Sequence, residues 1–285
     1  MSLAQPPDAA ATRTPVSVMI FTLNEAVHLP SCLAALAWCD DVIVVDSFST
    51  DTTESIAREA GARIFQHKFT GFGDQRNWAL DNCTPAHEWI LILDADERVT
   101  PALVAEMTTQ LLQTPASVGA FRIKRRFHMW GQWLKHSSLY PTWVVRLVHR
   151  DRVRYVNRGH AETQIVDGSI LEMSNDLIDE NLKGIDEWFE RQNRYSSKDA
   201  EYELQNANKP VAWSALLSNN NLQRRAAVKQ IGARLPFRPL AYFLYSYVFR
   251  LGFLDGSNGF HFCLMKALYQ RMILIKKYDM SKRAP

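Results

Sequence analysis

Trp89-Ile90-Leu91-Ile92-Leu93-Asp94-Ala95-Asp96-Glu97 is the stretch that decides how the rest of the chain reads. Large apolar residues that stop abruptly in three acids form a buried strand delivering carboxylates to the edge of a sheet. Side chains alternate along a strand, so Asp94 and Asp96 are expected to point the same way. Two carboxylates held that close repel, and a shared proton or a divalent cation is the cheapest remedy, which makes the pair a candidate metal site. The competing reading is that the acids merely lead into a turn, because Thr100-Pro101 has the form of a helix N-cap and first residue.

Upstream, Val16-Ser17-Val18-Met19-Ile20-Phe21 is a β-rich apolar run ending at Thr22-Leu23-Asn24-Glu25. Leu29, Leu33 and Leu36 then recur at helical spacing, and Asp41-Val42-Ile43-Val44-Val45-Asp46 is a second buried strand, again ending in an acid. A turn over residues 47–53, a helix from Glu54 to Ala60 closed by Gly61, and a strand from Ala62 to Phe65 continue the alternation. Another helix begins near Arg76 and leads to the Trp89 strand. Strands alternating with helices build a parallel sheet through right-handed crossovers, and ligands bind beyond the carboxyl ends of its strands. Asp46, Asp94 and Asp96 are therefore expected along one edge.

The chain has 285 residues and is 47% hydrophobic, enough for a large core. Cys32, Cys39, Cys83 and Cys263 have no paired metal-ligand spacing and read as reduced thiols. No glycine-rich phosphate loop follows the first strand, so a dinucleotide or P-loop site is not expected. Without backbone amides to cradle a diphosphate, a cation must carry that charge, and a nucleotide-sugar site fits better than a dehydrogenase. The net charge of +3 hides an asymmetry, since the segment from Asn221 onward has twelve Lys/Arg against Asp255 and Asp279 alone. Such a basic, aromatic segment suits anionic lipid headgroups or another polyanion.

Thr22-Leu23-Asn24-Glu25, Asp46-Ser47-Phe48-Ser49-Thr50-Asp51-Thr52, Gln75-Arg76-Asn77 and Asp94-Ala95-Asp96-Glu97, in that order, resemble family 2 glycosyltransferases of the GT-A fold, and within them the bacterial lipopolysaccharide core glucosyltransferase group. The motifs span roughly residues 16–165, with a looser echo in Arg250-Leu251-Gly252-Phe253-Leu254-Asp255-Gly256. The resemblance implies an α/β fold: a Rossmann-like nucleotide-sugar-binding domain with a mainly parallel sheet, followed by a C-terminal helical amphipathic region. The implied division is a disordered tail over 1–15, a nucleotide-sugar-binding half over 16–120, an acceptor-binding half over 121–183 and a membrane-associating helical region over 184–285.

The resemblance also implies roles for residues. Thr22 and Asp46 lie at the nucleobase, Asn24, Glu25, Ser49 and Asp51 belong to the donor site, and Arg76 meets the nucleotide. Asp94 holds the ribose or the cation, Asp96 ligates Mg²⁺ or Mn²⁺, and His160 is a further metal or phosphate ligand. In Arg158-Gly159-His160-Ala161-Glu162, Glu162 is the expected base of an inverting transfer, with Glu172, Asp176, Asp179 and Glu180 as alternatives. Many relatives carry an aromatic residue where this chain has Leu23, so base stacking must come from elsewhere.

From Phe121 to His160 there are ten Lys/Arg against Asp151 alone, interleaved with Trp130, Trp133, Tyr140, Trp143 and Tyr155. This composition suits an acceptor rich in sugar and phosphate, such as a lipid-linked oligosaccharide. Nucleic acid is the runner-up for such a surface and is not expected here. Further helices are expected over Ile185–Asn206, Trp213–Ile231, Leu240–Leu251 and Phe260–Lys277, the last two lying on the membrane or packing as a hairpin. No apolar stretch is long enough to span a bilayer. With the resemblance, which alone implies a UDP-linked donor, these residues suggest a metal-dependent hexose transferase, peripheral on the cytoplasmic face of the membrane. The alternatives are a nucleotidyltransferase and a non-catalytic glycan or membrane-surface binding protein.

Overall fold

The computed structural model describes residues 14–158, 161–206, 224, 231–232, 235 and 237–283. The expected N-terminal tail, His160 and most of the helix expected over Trp213–Ile231 lie outside the described residues. Two compact units emerge. One holds the described residues of Met1–Arg125 with Trp143–Tyr155 and Gln164–Ile178, and the other holds the described residues of Arg126–Thr142, Val156–Thr163 and Asp179–Pro285.

The first unit starts with strand β1 (Val16–Thr22), which pairs in parallel with β2 (Val42–Asp46) on one side and β4 (Trp89–Asp94) on the other. Strand β3 (Arg63–Gln66) adds to β2, also in parallel. Helices α1 (Leu29–Ala34), α2 (Thr53–Glu59) and α3 (Phe72–Asn82) make the crossovers. Both sheet faces are covered, and the residues divide between them by the two-residue period of a strand. Val18, Ile20, Val44, Leu91 and Leu93 enter one apolar cluster with Leu29 and Cys32. Met19, Ile43, Val45, Ile90 and Ile92 enter a second with Ala79 and Cys83. Ile90, Leu91, Ile92 and Leu93 are essentially fully buried, each worth about 1.5–3 kcal/mol of transfer free energy.

After β4 the sheet changes character. A short β5 (Glu97–Val99) leads into α4 (Pro101–Leu111), where the Thr100 side chain caps the helix by accepting from Leu103 N and donates to Asp176 O. Strands β6 (Val118–Met129), β8 (Thr142–His149) and β11 (Ser169–Glu180) extend the sheet in the order β3-β2-β1-β4-β8-β6-β11-β5, and β8 runs antiparallel to β4. Strands β9 (Val153–Arg158) and β10 (Ala161–Val166) form a separate pair, and the short β7 (Gln132–Trp133) pairs with β6. The sheet is therefore mixed, parallel over its first four strands.

The second unit is mainly helical. Helix α5 (Gly184–Gln205) and α6 (Arg238–Leu244) both pack on α7 (Gly256–Arg283), a helix of 28 residues. The helix expected over Leu240–Leu251 is interrupted. A wider π-type turn occupies Tyr245–Phe249, Leu251 is left-handed at φ 61°, and a 3₁₀ turn covers Gly252–Asp255. The helix expected from Phe260 starts earlier, at Gly256, and runs on to Arg283. No helix among the described residues is long and apolar enough to cross a membrane. The four cysteines are free.

Candidate active site at the carboxyl edge of the parallel strands

Register brings the acids together before any side chain is considered. Thr22 pairs with Asp46 across β1–β2, and Phe21 pairs with Asp94 across β1–β4. Asp46 and Asp94 thus leave the sheet on either side of the end of β1.

Asp46, 1% exposed, accepts from the Thr22 hydroxyl at 2.8 Å and from Ser49 N at 2.7 Å. The loops that follow β1 and β2 are then stitched to each other. Asn24, itself left-handed at φ 54°, donates its amide to Ser49 Oγ and accepts from Thr50 N, each at 2.8 Å. Glu25 N donates to Thr53 Oγ1 at 2.8 Å, and Ala26 N donates to Asp51 Oδ2 at 3.2 Å. Thr22, Asn24, Glu25, Asp46, Ser49 and Asp51 therefore form one polar framework that fixes the shape of both loops. On it, Phe48 is left-handed at φ 61° and 53% exposed, and Leu23 is 48% exposed. Asp46→Ala would strand the buried Thr22 hydroxyl and leave the Ser49 amide without its acceptor. At about 1–3 kcal/mol for a buried polar group left unsatisfied, urea unfolding is expected to show a loss of about 2 kcal/mol. An unchanged midpoint would mean that the framework does not hold the loops.

Three consecutive residues of α3 reach three different places. Gln75 Nε2 donates to Ser47 Oγ at 2.6 Å, Arg76 Nη2 donates to Asp94 Oδ1 at 3.1 Å, and Asn77 exchanges two hydrogen bonds with the backbone of Tyr155. The Arg76 guanidinium lies between two aromatic rings, 5.7 Å from the centroid of Phe21 and 5.5 Å from that of Tyr155. At 3% exposure it is a fixed charge rather than a surface arginine.

The acidic cluster departs from the strand geometry expected for it. Strand β4 ends at Asp94, and Ala95-Asp96 is a turn before β5, so Asp94 and Asp96 do not share a strand face. Glu97 closes the turn by accepting from Asp94 N at 3.1 Å. The charge on Asp94 is met by arginine rather than by a shared proton. Arg76 holds one carboxylate oxygen and Arg146 the other. Arg146 also binds Glu97 at 2.7 Å, where Glu97 is fully buried and has Arg125 as a second cation at 3.7 Å. Burial works to raise the Asp94 carboxyl, but the Arg146 and Arg76 guanidiniums outweigh it and hold it below the usual carboxylate range. Burial likewise works against the charge on Arg146, and Asp94 and Glu97 overcome it. Beside them, burial pushes the Tyr155 phenol up to about 12.

Arg146 was not singled out in the sequence, although a signal existed. A charged residue within the apolar strand Thr142–His149 must be paired where it is buried. The basic stretch after residue 120 is also less open than its composition suggests. Arg122 pairs with Glu172, Lys124 with Asp176 at 3.5 Å and Arg154 with Asp81 at 3.2 Å, because alternate residues of these strands face acids on neighbouring elements.

Asp96 is half-buried on its turn. Among the described residues no three His, Cys, Asp or Glu side chains come close enough to hold a metal by themselves. With Asp94 committed to two guanidiniums, the oxygen donors fit a hard cation that takes one protein carboxylate and fills the rest of its shell from diphosphate and water. Glu162, on β10 in the second unit, is half-buried.

A sequence model of glycosyl transferase family 2 matches residues 17–169, the region that holds this edge and the strands around it. The chain belongs to glycosyl transferase family 2. It is a glycosyltransferase with the GT-A plan of a mixed α/β sheet flanked by helices, which sets aside the nucleotidyltransferase and non-catalytic readings. The lipopolysaccharide core biosynthesis glycosyltransferase LpsC of Rhizobium meliloti is 27% identical over 286 residues, covering 94% of this chain and 93% of that protein. An uncharacterized glycosyltransferase of Rickettsia felis is 37% identical over 93 residues, about a third of each chain. Among solved structures, glucosyl-3-phosphoglycerate synthase from Mycobacterium tuberculosis in complex with Mn²⁺, UDP and glucosyl-3-phosphoglycerate is similar at a TM-score of 0.44. Its identity to this chain is 17%, covering 71% of this chain and 85% of that one.

Proposed function

We propose that this family 2 glycosyltransferase moves a hexose, glucose in the first instance, from a UDP-sugar to a lipid-linked glycan of the lipopolysaccharide core type, with inversion at the anomeric carbon. The observation that carries the donor half is the alignment of Asp46 and Asp94 at the ends of parallel strands, with Asp96 on the turn just beyond. Similarity along 94% of the chain to a lipopolysaccharide core biosynthesis glycosyltransferase supports the acceptor half.

In this reading the loops braced by Thr22, Asn24, Glu25, Asp46, Ser49 and Asp51 receive the nucleoside. Phe48, exposed on the second of those loops, offers the stacking surface that Leu23 does not. Arg76 and Asp94 form a rigid pair beside the ribose and diphosphate, and Asp96 is the protein ligand of Mg²⁺ or Mn²⁺. When bound, that cation supplies positive charge to the departing diphosphate. Glu162 takes the proton of the acceptor hydroxyl while the hydroxyl oxygen attacks the anomeric carbon from the face opposite the diphosphate. The bond from that carbon to the diphosphate oxygen breaks, and its electron pair leaves with UDP. His160 keeps its assignment as a further metal or phosphate ligand. The enzyme works at the cytoplasmic face of the membrane, where lipid-linked acceptor and soluble donor meet.

Glu162→Gln separates the base from the donor site. UDP-sugar affinity is expected to stay within about twofold while turnover falls by about 10²–10⁴-fold, the usual range for a general base. Isothermal titration and a radiolabelled transfer assay read the two quantities separately. Unchanged turnover would remove Glu162 as the base and turn attention to the alternatives Glu172, Asp176, Asp179 and Glu180.

A further inference from the structure

The second unit holds a cationic cavity to which none of the donor-site residues or Glu162 contributes. It has a volume of about 260 Å³ and is lined by Lys135, His136, Tyr140, Phe249, Arg250 and Leu251. None of the Lys135, His136 and Arg250 side chains has an ion-pair partner among the described residues. Arg250 Nη2 donates to Tyr140 O at 3.0 Å, while its buried Nε has no partner. A buried guanidinium N–H left unsatisfied costs free energy, and the Arg250 side chain that carries it lines the cavity.

The cavity is held in shape from behind. Asp255, 4% exposed, accepts from His136 N at 2.9 Å and from Ser137 N and Oγ at 2.7 Å each, so its carboxylate is taken up by the loop that carries Lys135. Leu139 and Leu251 both adopt left-handed backbone, at φ 63° and 61°. Strained residues of this kind persist where surrounding structure over-determines them, and they concentrate at binding sites.

What distinguishes this cavity from a simple anion site is its rim. Phe249 is 76% exposed and Leu251 44%, and the exposed apolar surface continues through Val248, Phe253 and Leu254. A free phosphate would gain nothing from these residues. A phosphate ester carrying acyl chains meets cations in the cavity and apolar surface outside it.

We propose that the cavity binds the phosphate group of an anionic membrane lipid, with the surface from Val248 to Leu254 entering the headgroup and acyl boundary. The proposal deepens the membrane-surface part of the reading above and rests on it. It does not depend on the sugar-transfer chemistry.

The test is co-sedimentation of the full chain with vesicles of phosphatidylcholine alone and of phosphatidylcholine with phosphatidic acid. Wild type is expected to prefer the acidic vesicles. Lys135→Gln combined with Arg250→Gln should weaken that binding by about tenfold or more, given roughly 1 kcal/mol per basic residue near an anionic surface. Lys135→Gln alone, which removes no hydrogen bond within the loop, should weaken it by about threefold to fivefold on the same scale. In parallel, inorganic phosphate is titrated while the His136 ring signals are followed by NMR. Saturating shifts without any vesicle preference would overturn the lipid assignment in favour of soluble phosphate. Acidic-vesicle binding that persists undiminished in both variants would overturn the cavity while leaving membrane contact standing. If wild type sediments with neither vesicle, the membrane-surface reading fails as well, and transfer activity on a soluble acceptor would show that the glycosyltransferase assignment survives it.

Discussion

Asp96→Asn is expected to lower transfer from UDP-glucose by about three orders of magnitude, with the folded protein intact. Asp96 lies half-buried on the turn just beyond β4, outside the regular strand, and is the residue assigned to the cation in the reading above. A bound cation contributes several kcal/mol of stabilisation to a leaving diphosphate, and each 1.36 kcal/mol is tenfold in rate. The variant should unfold at the same urea concentration as wild type, and raising the Mn²⁺ concentration should recover little activity. Activity within tenfold of wild type would remove Asp96 from the cation site.

Arg146→Met is expected to act on the fold rather than on the chemistry. It leaves fully buried Glu97 without its nearest cation and removes one of the two guanidiniums from Asp94. Breaking a buried pair by removing one partner costs about 3–5 kcal/mol, so denaturant unfolding at pH 7.5 should show a loss in that range. The pH dependence carries a second signature. In wild type the Asp94 carboxyl is held below its ordinary value, so its contribution to stability is present above about pH 4, its unfolded value, and fades as pH falls further. In Arg146→Met the uncompensated carboxylate is relieved by protonation, so the deficit against wild type should shrink as pH is lowered. A deficit that is small, or that grows with acid, would mean that the cluster is not what holds the end of β4.

These expectations show which parts of the site were legible in the sequence. The first four strands were readable because each is a short apolar run between turn residues, and because β2 and β4 end in acids that a core strand would not otherwise carry. Register then did what alternation of strands and helices implied, placing Asp46 and Asp94 beside the end of β1. The turn at Ala95-Asp96 was not readable, since it depends on Glu97 folding back onto Asp94 N. Nor was the second arginine on Asp94: a charge inside the apolar strand β8 signals that Arg146 needs a partner but not which one, because the two residues lie 52 apart on antiparallel strands. The basic composition after residue 120 concealed a strand. In β6, buried Phe121 and Ile123 alternate with Arg122 and Lys124, which face Glu172 and Asp176. A two-residue period was present there, masked by a high count of cations. In the C-terminal region, charge and aromatic content pointed to a surface, but the break at Leu251 and the anchoring of the Lys135 loop on Asp255 are tertiary features with no local signal.

A cation-assisted nucleotide-sugar site at the carboxyl edge of β1, β2 and β4 is tested most directly by calorimetric titration of the purified protein with UDP-glucose, in Mn²⁺ and in EDTA. Saturable binding with Mn²⁺ that is lost in EDTA is the predicted result. Equal binding in both conditions, or none by a folded protein with any nucleotide sugar, would contradict it.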